Sequence, residues 1–243
     1  MTVGTATRQN SPAPANRSAE SRPDTPCGKG DAVEWICASG PVPYPDALDF
    51  MSERARRIRE KGAAECVWLL EHPPLYTAGT SAEESELLDS AGLPVYRIGR
   101  GGRFTYHGPG QRVAYVMLDL SQRGQDLRRL VWQLEEWGIR SLACLGVEAG
   151  RRPDRIGVWT WRNGTDAKIM AIGIRVRRWV TLHGIALNVD PDLEAFAGIV
   201  PCGIRDHGVT SLRALGLSAD MAAVDAALRA SFRDAFAAHP EAA

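Results

Sequence analysis

The chain has 243 residues, enough for one large domain or two small ones. Its apolar share of 44% is ordinary for a globular protein, and Lys plus Arg equal Asp plus Glu at 29 each. Zero net charge argues against a strongly basic nucleic-acid binder, and the apolar runs fall far short of the roughly 20 residues that a membrane-spanning helix needs.

Residues 1–30 are rich in Ser, Pro, Ala and Thr and have no apolar stretch, so they read as a disordered tail rather than a secretory signal. Residues 31–243 read as a single domain. Ala32–Ser39 predicts a short strand. Pro45 then opens a helix in which Leu48, Met51, Ala55 and Ile58 recur at helical spacing, with Gly62 as its stop. Ala64–His72 is a compact apolar run before Pro73 and Pro74, the pattern of a buried strand. "PVYRIGR" and "RVAYVMLDL" predict strands on either side of a glycine-rich stretch, "RGGRFTYHGPGQ". Gln125–Leu145 has a helical pattern with a flaw at Gly138. Three strands follow, "DRIGVWTW", "AKIMAIGIRV" and "WVTLHGIALNV", the first two joined by a hairpin signal at Asn163-Gly164. A short helix around Leu193–Ala197 and a closing helix with Val224, Leu228, Phe232 and Phe236 complete the pattern. Interleaved helices and strands with hairpins imply an α/β or α+β domain with a mixed sheet.

The five cysteines, Cys27, Cys37, Cys66, Cys144 and Cys202, are odd in number and form no C-x-x-C, which fits reduced thiols in a cytoplasmic protein better than disulfides or zinc. Cys202 sits between Pro201 and Gly203 in a turn. It reads either as a small core residue or as a reachable nucleophile. Lys168, one of only three lysines, reads either as a strand-edge charge or as a buried amine with Cys202 as its partner. His72, His107, His183 and His207 stand beside Gly or Pro, at predicted turns or strand ends, without zinc spacing. The stretch Arg100–Gln111 gathers glycines with hydrogen-bonding side chains. It lacks both the G-x-x-x-x-G-K-[ST] and the G-x-G-x-x-G patterns, so a phosphate loop and a polar glycine-rich hairpin are the readings that composition leaves.

Four stretches, in this order, resemble one family: "EHPPLYTAGT" (Glu71–Thr80), "GRGGRFTYHGPGQ" (Gly99–Gln111), "KIMAIGIRVRRWVTLHGIALNV" (Lys168–Val189) and "PCGIRDHGVTSL" (Pro201–Leu212). The family is the octanoyl-[acyl carrier protein]:protein octanoyltransferases, the lipoyl(octanoyl) transferases of lipoate synthesis. The resemblance implies the fold of lipoate and biotin protein ligases: a mixed, largely antiparallel sheet flanked by helices. It implies an acyl-cysteine intermediate with Cys202 as nucleophile and Lys168 as its paired amine, and no cofactor or metal. It also implies an acyl-binding site from Arg100, Gly101, Gly102, Arg103, Phe104, Thr105, Tyr106 and His107, from Ala171, Ile172 and Gly173, and from Gly184, Ile185 and Ala186. His72 and His183 are expected as supporting pocket wall, and His107 as an aid to the cysteine–lysine pair. The implied donor is octanoyl-acyl carrier protein. The implied acceptors are the lipoyl domains of 2-oxoacid dehydrogenase complexes and the glycine cleavage H protein; neither nucleic acid nor membrane is an expected partner. Arg100, Arg103, Arg175, Arg177 and Arg178 are expected to form a basic entrance for an acidic carrier. Leu182 stands where the family often has an aromatic residue.

Overall fold

The computed structural model describes residues 33–239 apart from 163, 201–207 and 219. The expected tail and the segment with Cys202 and His207 therefore lie outside the described residues.

Strand β1 (Val33–Cys37) leads into helix α1 (Tyr44–Lys61), which buries Tyr44, Ala47, Met51, Ala55 and Ile58 along one stripe. Strand β2 (Glu65–Leu70) returns parallel to β1. Strands β3 (Leu75–Ala78), β4 (Val95–Arg97) and β5 (Phe104–His107) form a second, three-stranded sheet in the order β4-β3-β5. Sequence patterning foresees β4 but neither β3 nor β5. Leu75–Ala78 is too short for an alternation to show, and Phe104–His107 is hidden between glycines.

Strand β6 (Gln111–Met117) precedes helix α2 (Leu127–Cys144). Gly138 does not interrupt that helix; it lets Met170 pack against it, where a Cβ would meet the Met170 Cε at 2.3 Å. A short strand β7 (Gly150–Arg152), also unforeseen, pairs with β8 (Arg155–Arg162). Strands β9 (Thr165–Arg177) and β10 (Val180–Asn188), both predicted as strands, pair as a long antiparallel hairpin. The expected helix near Leu193 is a 3-10 turn over Glu194–Gly198. Strand β11 (Gly208–Val209) and helix α3 (Met221–Ala237) end the fold.

The main sheet runs β1-β2-β6-β10-β9-β8-β7, with β11 beside β9. Among the described residues only β1·β2 and β11·β9 are parallel in it. Helix α1 packs on one face with Trp68, Leu70, Val113 and Tyr115. Helices α2 and α3 cover the other with Trp137, Leu134, Leu228 and Phe232. This is the mixed α/β architecture expected. No described helix is long and apolar enough to cross a membrane.

Candidate active site

Strand β9 lies between β8 and β11 at Lys168, paired with Trp159 on one side and Val209 on the other. Its pairing with β8 ends at Met170, and from there on β10 alone flanks it. The vacated edge receives the loop before β5, where Gly101 N–H donates to Ile174 O at 2.9 Å. A cavity of about 510 Å³ results, enclosed by that loop, the edge of β9, and β10 and β6.

The small residues of β9 and β10 make its floor. Ala171 pairs with Ala186, Ile172 with Ile185 and Gly173 with Gly184 across the ladder, so two of the predicted segments face each other residue for residue. Arg100, Gly101, Gly102, Arg103, Phe104 and Thr105 line the opposite side, with His107. Tyr44, Val113, Tyr115 and His183 close one end. Val131, Asp154, Arg155, Ile156 and Lys168 line the other, where Ile156 is exposed.

Lys168 is neither on a sheet edge nor exposed. Only 7% of it is accessible, its Nζ donates to Ile156 O at 3.0 Å, and the same nitrogen stands 4.7 Å from the centre of the Trp159 ring. Cys202 lies outside the described residues, but the chain is anchored on both sides of its segment, and on the downstream side the anchor is Lys168 itself. Val200 N–H donates to Glu86 O at 2.8 Å, Val209 is the register partner of Lys168, and Thr210 N–H donates to Lys168 O at 3.0 Å. Cys66 and Cys37 are not primed as thiolates by their surroundings: burial pushes the Cys66 thiol up to about 12, and burial together with Asp225 raises that of Cys37.

Tyr106 does not line the cavity. It packs instead against Tyr76 and Phe196, at ring separations of 5.7 and 5.4 Å. It belongs to strand β5. His72 also stands behind the wall, bonded to Val42 O at 2.6 Å and Tyr115 Oη at 2.7 Å. His183 is in mid-strand rather than at a turn, with φ of 64°, a conformation rare outside glycine. That backbone brings its ring to Tyr44 Oη at 3.2 Å and leaves Nδ1 without a partner among the described residues.

His107 has both ring nitrogens engaged, by Thr77 Oγ1 at 3.3 Å and Gln111 Oε1 at 2.7 Å. Gln111 continues to Asn188 at 3.0 Å, and Asn188 to Thr210 O at 3.0 Å. The ring thus braces the site from behind and has no nitrogen left for a cysteine–lysine pair. Desolvation holds His72 down at about 4 and His183 at about 3, the latter helped by Arg100 and Arg175, and keeps His107 well below its ordinary value. The histidine walls are therefore neutral at pH 7.

The expected basic entrance is only partly an entrance. Arg100 is buried and donates to Thr77 O, Thr77 Oγ1 and Gly101 O. Arg103 pairs with Glu86 and Glu83. Arg175, Arg177 and Arg178 are exposed near the tip of the β9–β10 hairpin. Tyr44, Tyr115, Val131 and Ile156 line the cavity without having been singled out in the sequence. They come from four different elements, and each reads locally as ordinary core or surface.

Residues 43–233 match the family model of the lipoyl protein ligase A/B catalytic domain. An octanoyltransferase of Paramagnetospirillum magneticum is 60% identical over 207 residues, covering 85% of this chain and 98% of that protein. One of Rhodospirillum rubrum is 58% identical over 209 residues, covering 86% and 97%. Among solved structures, a lipoate-protein ligase A bound with ATP superposes with a TM-score of 0.63 at 18% identity, over 83% of this chain and 85% of that one. A bipartite lipoate protein ligase from Thermoplasma acidophilum gives 0.59 at 19% identity, over 81% and 82%. The structural likeness shows the shared fold, and the sequence likeness goes further: this chain belongs to the lipoyl protein ligase A/B catalytic-domain family, among its octanoyltransferases.

Proposed function

We propose that the protein transfers an octanoyl group from octanoyl-acyl carrier protein to a lysine of a lipoyl domain through a thioester on Cys202. The observation that carries this reading is the position of Lys168. It is a buried amine on the wall of an apolar-floored cavity, register partner of the strand that follows the Cys202 segment.

The chemistry proceeds in two exchanges. The Cys202 thiolate attacks the carrier thioester, a new C–S bond forms, and the carrier thiol leaves with a proton. The acceptor lysine amine then attacks the acyl-cysteine, the amide forms, and the Cys202 sulfur is released. Thioester replaces thioester in the first exchange and amide replaces thioester in the second, so ATP is not consumed. Splitting the transfer lets two proteins visit one site in turn. Lys168 takes the thiol proton, returns it to the leaving carrier thiol, and takes the proton of the attacking amine. Ile174 presents its carbonyl to the vacated edge of β9, so by the two-residue alternation Ile172 presents its N–H there as well. That N–H is the oxyanion donor in this reading. Ala171, Gly173, Gly184 and Ala186 leave room for the chain, and the exposed arginines of the β9–β10 tip receive the acidic carrier.

The test is intact-protein mass spectrometry after incubation with octanoyl carrier protein and no ATP. Wild type is expected to gain one octanoyl group that hydroxylamine removes, and Cys202→Ser to gain no hydroxylamine-labile mass. Lys168→Ala is expected to lower the transfer rate by roughly 10²–10⁴-fold. A requirement for ATP would instead assign the ligase reaction, and indifference to Cys202→Ser a carrier-binding module.

A further inference from the structure

Among the buried carboxylates that the mechanism leaves unused, one stands next to Lys168 through a single peptide group. Glu135 lies on the sheet-facing side of α2 with 8% of its surface accessible. Burying a carboxylate is costly unless its oxygens find donors. Here Oε1 accepts from Gly157 N–H at 3.0 Å and Oε2 from Arg151 Nε at 3.2 Å. Arg151 is itself fixed by Trp132 O and Glu136, each at 2.9 Å. Burial raises the Glu135 carboxyl, opposed by the Gly157 bond, Arg151 and Lys168.

Gly157 N–H and Ile156 C=O are the two ends of one planar peptide group. Its N–H is held by Glu135, and its carbonyl accepts from Lys168 Nζ at 3.0 Å. The geometry around this group is specific. Gly157 has φ of 123°, beside a register shift between Val158 and Trp159, and a Cβ there would meet Met170 O at 2.8 Å and Lys168 Cε at 3.3 Å. Only glycine fits that conformation and that space.

We propose that Glu135 is a positioning residue for Lys168, acting through this peptide group. By fixing the N–H it sets where the Ile156 carbonyl points, and that carbonyl holds the amine at the cavity wall. A carboxylate on the N–H also polarises the peptide, which strengthens its carbonyl as an acceptor. The inference rests on the reading of Lys168 as the proton-transferring amine.

The experiment measures kcat and KM for transfer from octanoyl carrier protein by Glu135→Ala, Glu135→Gln and Glu135→Asp, with Lys168→Ala alongside. Glu135→Ala is expected to lower kcat about tenfold, equivalent to about 1.4 kcal/mol, with KM unchanged. Glu135→Gln loses the same charge but keeps an oxygen for Gly157 N–H, and is expected to recover kcat to within about threefold of wild type. Comparing the two isolates the hydrogen bond. A folded Glu135→Ala with wild-type kcat, or a Glu135→Gln as slow as Glu135→Ala, overturns the proposal. If Glu135→Ala does not fold, Glu135→Asp decides. Withdrawing the carboxylate by one methylene is expected to lower kcat at constant KM, and wild-type kcat there overturns the proposal too. Should Lys168→Ala retain full activity, the reading of Lys168 itself fails; an inactive Lys168→Ala beside an unimpaired Glu135→Ala fails the Glu135 inference alone.

Discussion

The two halves of β9 are built for opposite tasks. From Thr165 to Lys168 the strand pairs with β8 on one edge, and at Ala167 and Lys168 β11 takes the other. From Ala171 to Arg177 it keeps β10 and gives up its second strand for a loop. The enclosed half holds an amine in one place, as a proton-transfer group requires. The open half has an unfilled edge and a floor of alanine and glycine, where a flexible chain can lie. One strand thus supplies rigidity and space in succession, and the change falls at Met170, where β8 departs.

That contrast breaks most readily at the Gly173–Gly184 pair. A Cβ on Gly184 would stand 2.2 Å from Ala114 O, part of the β6 backbone, which has nowhere to go. One on Gly173 would stand 2.7 Å from Arg100 Cδ, part of a side chain rather than of a strand backbone. Gly184→Ala is therefore expected to cost about 3 kcal/mol of stability, and Gly173→Ala about 1 kcal/mol. Gly173→Ala disturbs Arg100 at the cavity instead, so its larger effect is expected on KM for the acyl donor. Urea unfolding and steady-state kinetics on both variants measure this; equal losses of stability would mean that the open half yields as easily toward β6 as toward the loop.

Acid sharpens the contrast, because the open half is walled by neutral histidines. Unfolded, these rings titrate near their ordinary value of about 6.5. Folded, His72 and His183 stay neutral until pH nears about 4 and about 3, and His107 resists protonation as well. Below pH 6.5 the unfolded chain binds protons that the folded one refuses. Their contribution to stability is thus complete above that pH and is lost as pH falls. Going from pH 6.5 to 5 is expected to cost about 2 kcal/mol for each such ring. His183→Gln removes one ring from this balance, so its unfolding free energy is expected to fall less steeply over that interval. A variant as steep as wild type would show that His183 is not held neutral.

Much of the enclosed half was legible in the sequence, because local rules write it. Asn163-Gly164 announced the β8–β9 hairpin, and α1 and α3 followed from apolar spacing. Lys168 stood out as a rare lysine beside an uncharged run. The open half was legible mainly through family resemblance. Nothing local in Phe104–His107 separates a strand from a glycine-rich loop, and the resemblance that gathers Arg100–His107 into the site does not set apart Tyr106, which packs against Tyr76 and Phe196. The mid-strand φ of His183 leaves no mark in the sequence. Tyr44 and Tyr115 meet His183 only through tertiary packing. Glu135 did leave a signal, a carboxylate beside Leu134 on a core-facing stretch of helix, but its partner Gly157 lies on another element.

The smallest effect is expected at the far tip of the open half. Arg56, Arg59, Arg177 and Arg178 surround a groove of about 370 Å³ together with Asp49, Glu53 and Glu60. Four guanidinium groups against three carboxylates leave little net charge there, and Arg178 already pairs with Glu60 at 3.3 Å, both well exposed. Such pairs contribute little to stability, so reversing them is expected to leave the fold intact. If this tip receives an acidic carrier, the double change Arg177→Glu and Arg178→Glu raises KM for the carrier-bound donor by roughly threefold to tenfold at low salt, because it weakens encounter rather than chemistry. Added salt screens both versions and brings their KM values together, with kcat equal throughout. A double variant with unchanged KM at low salt would move the docking surface away from the β9–β10 tip, leaving the open half to bind the acyl chain without also receiving its carrier.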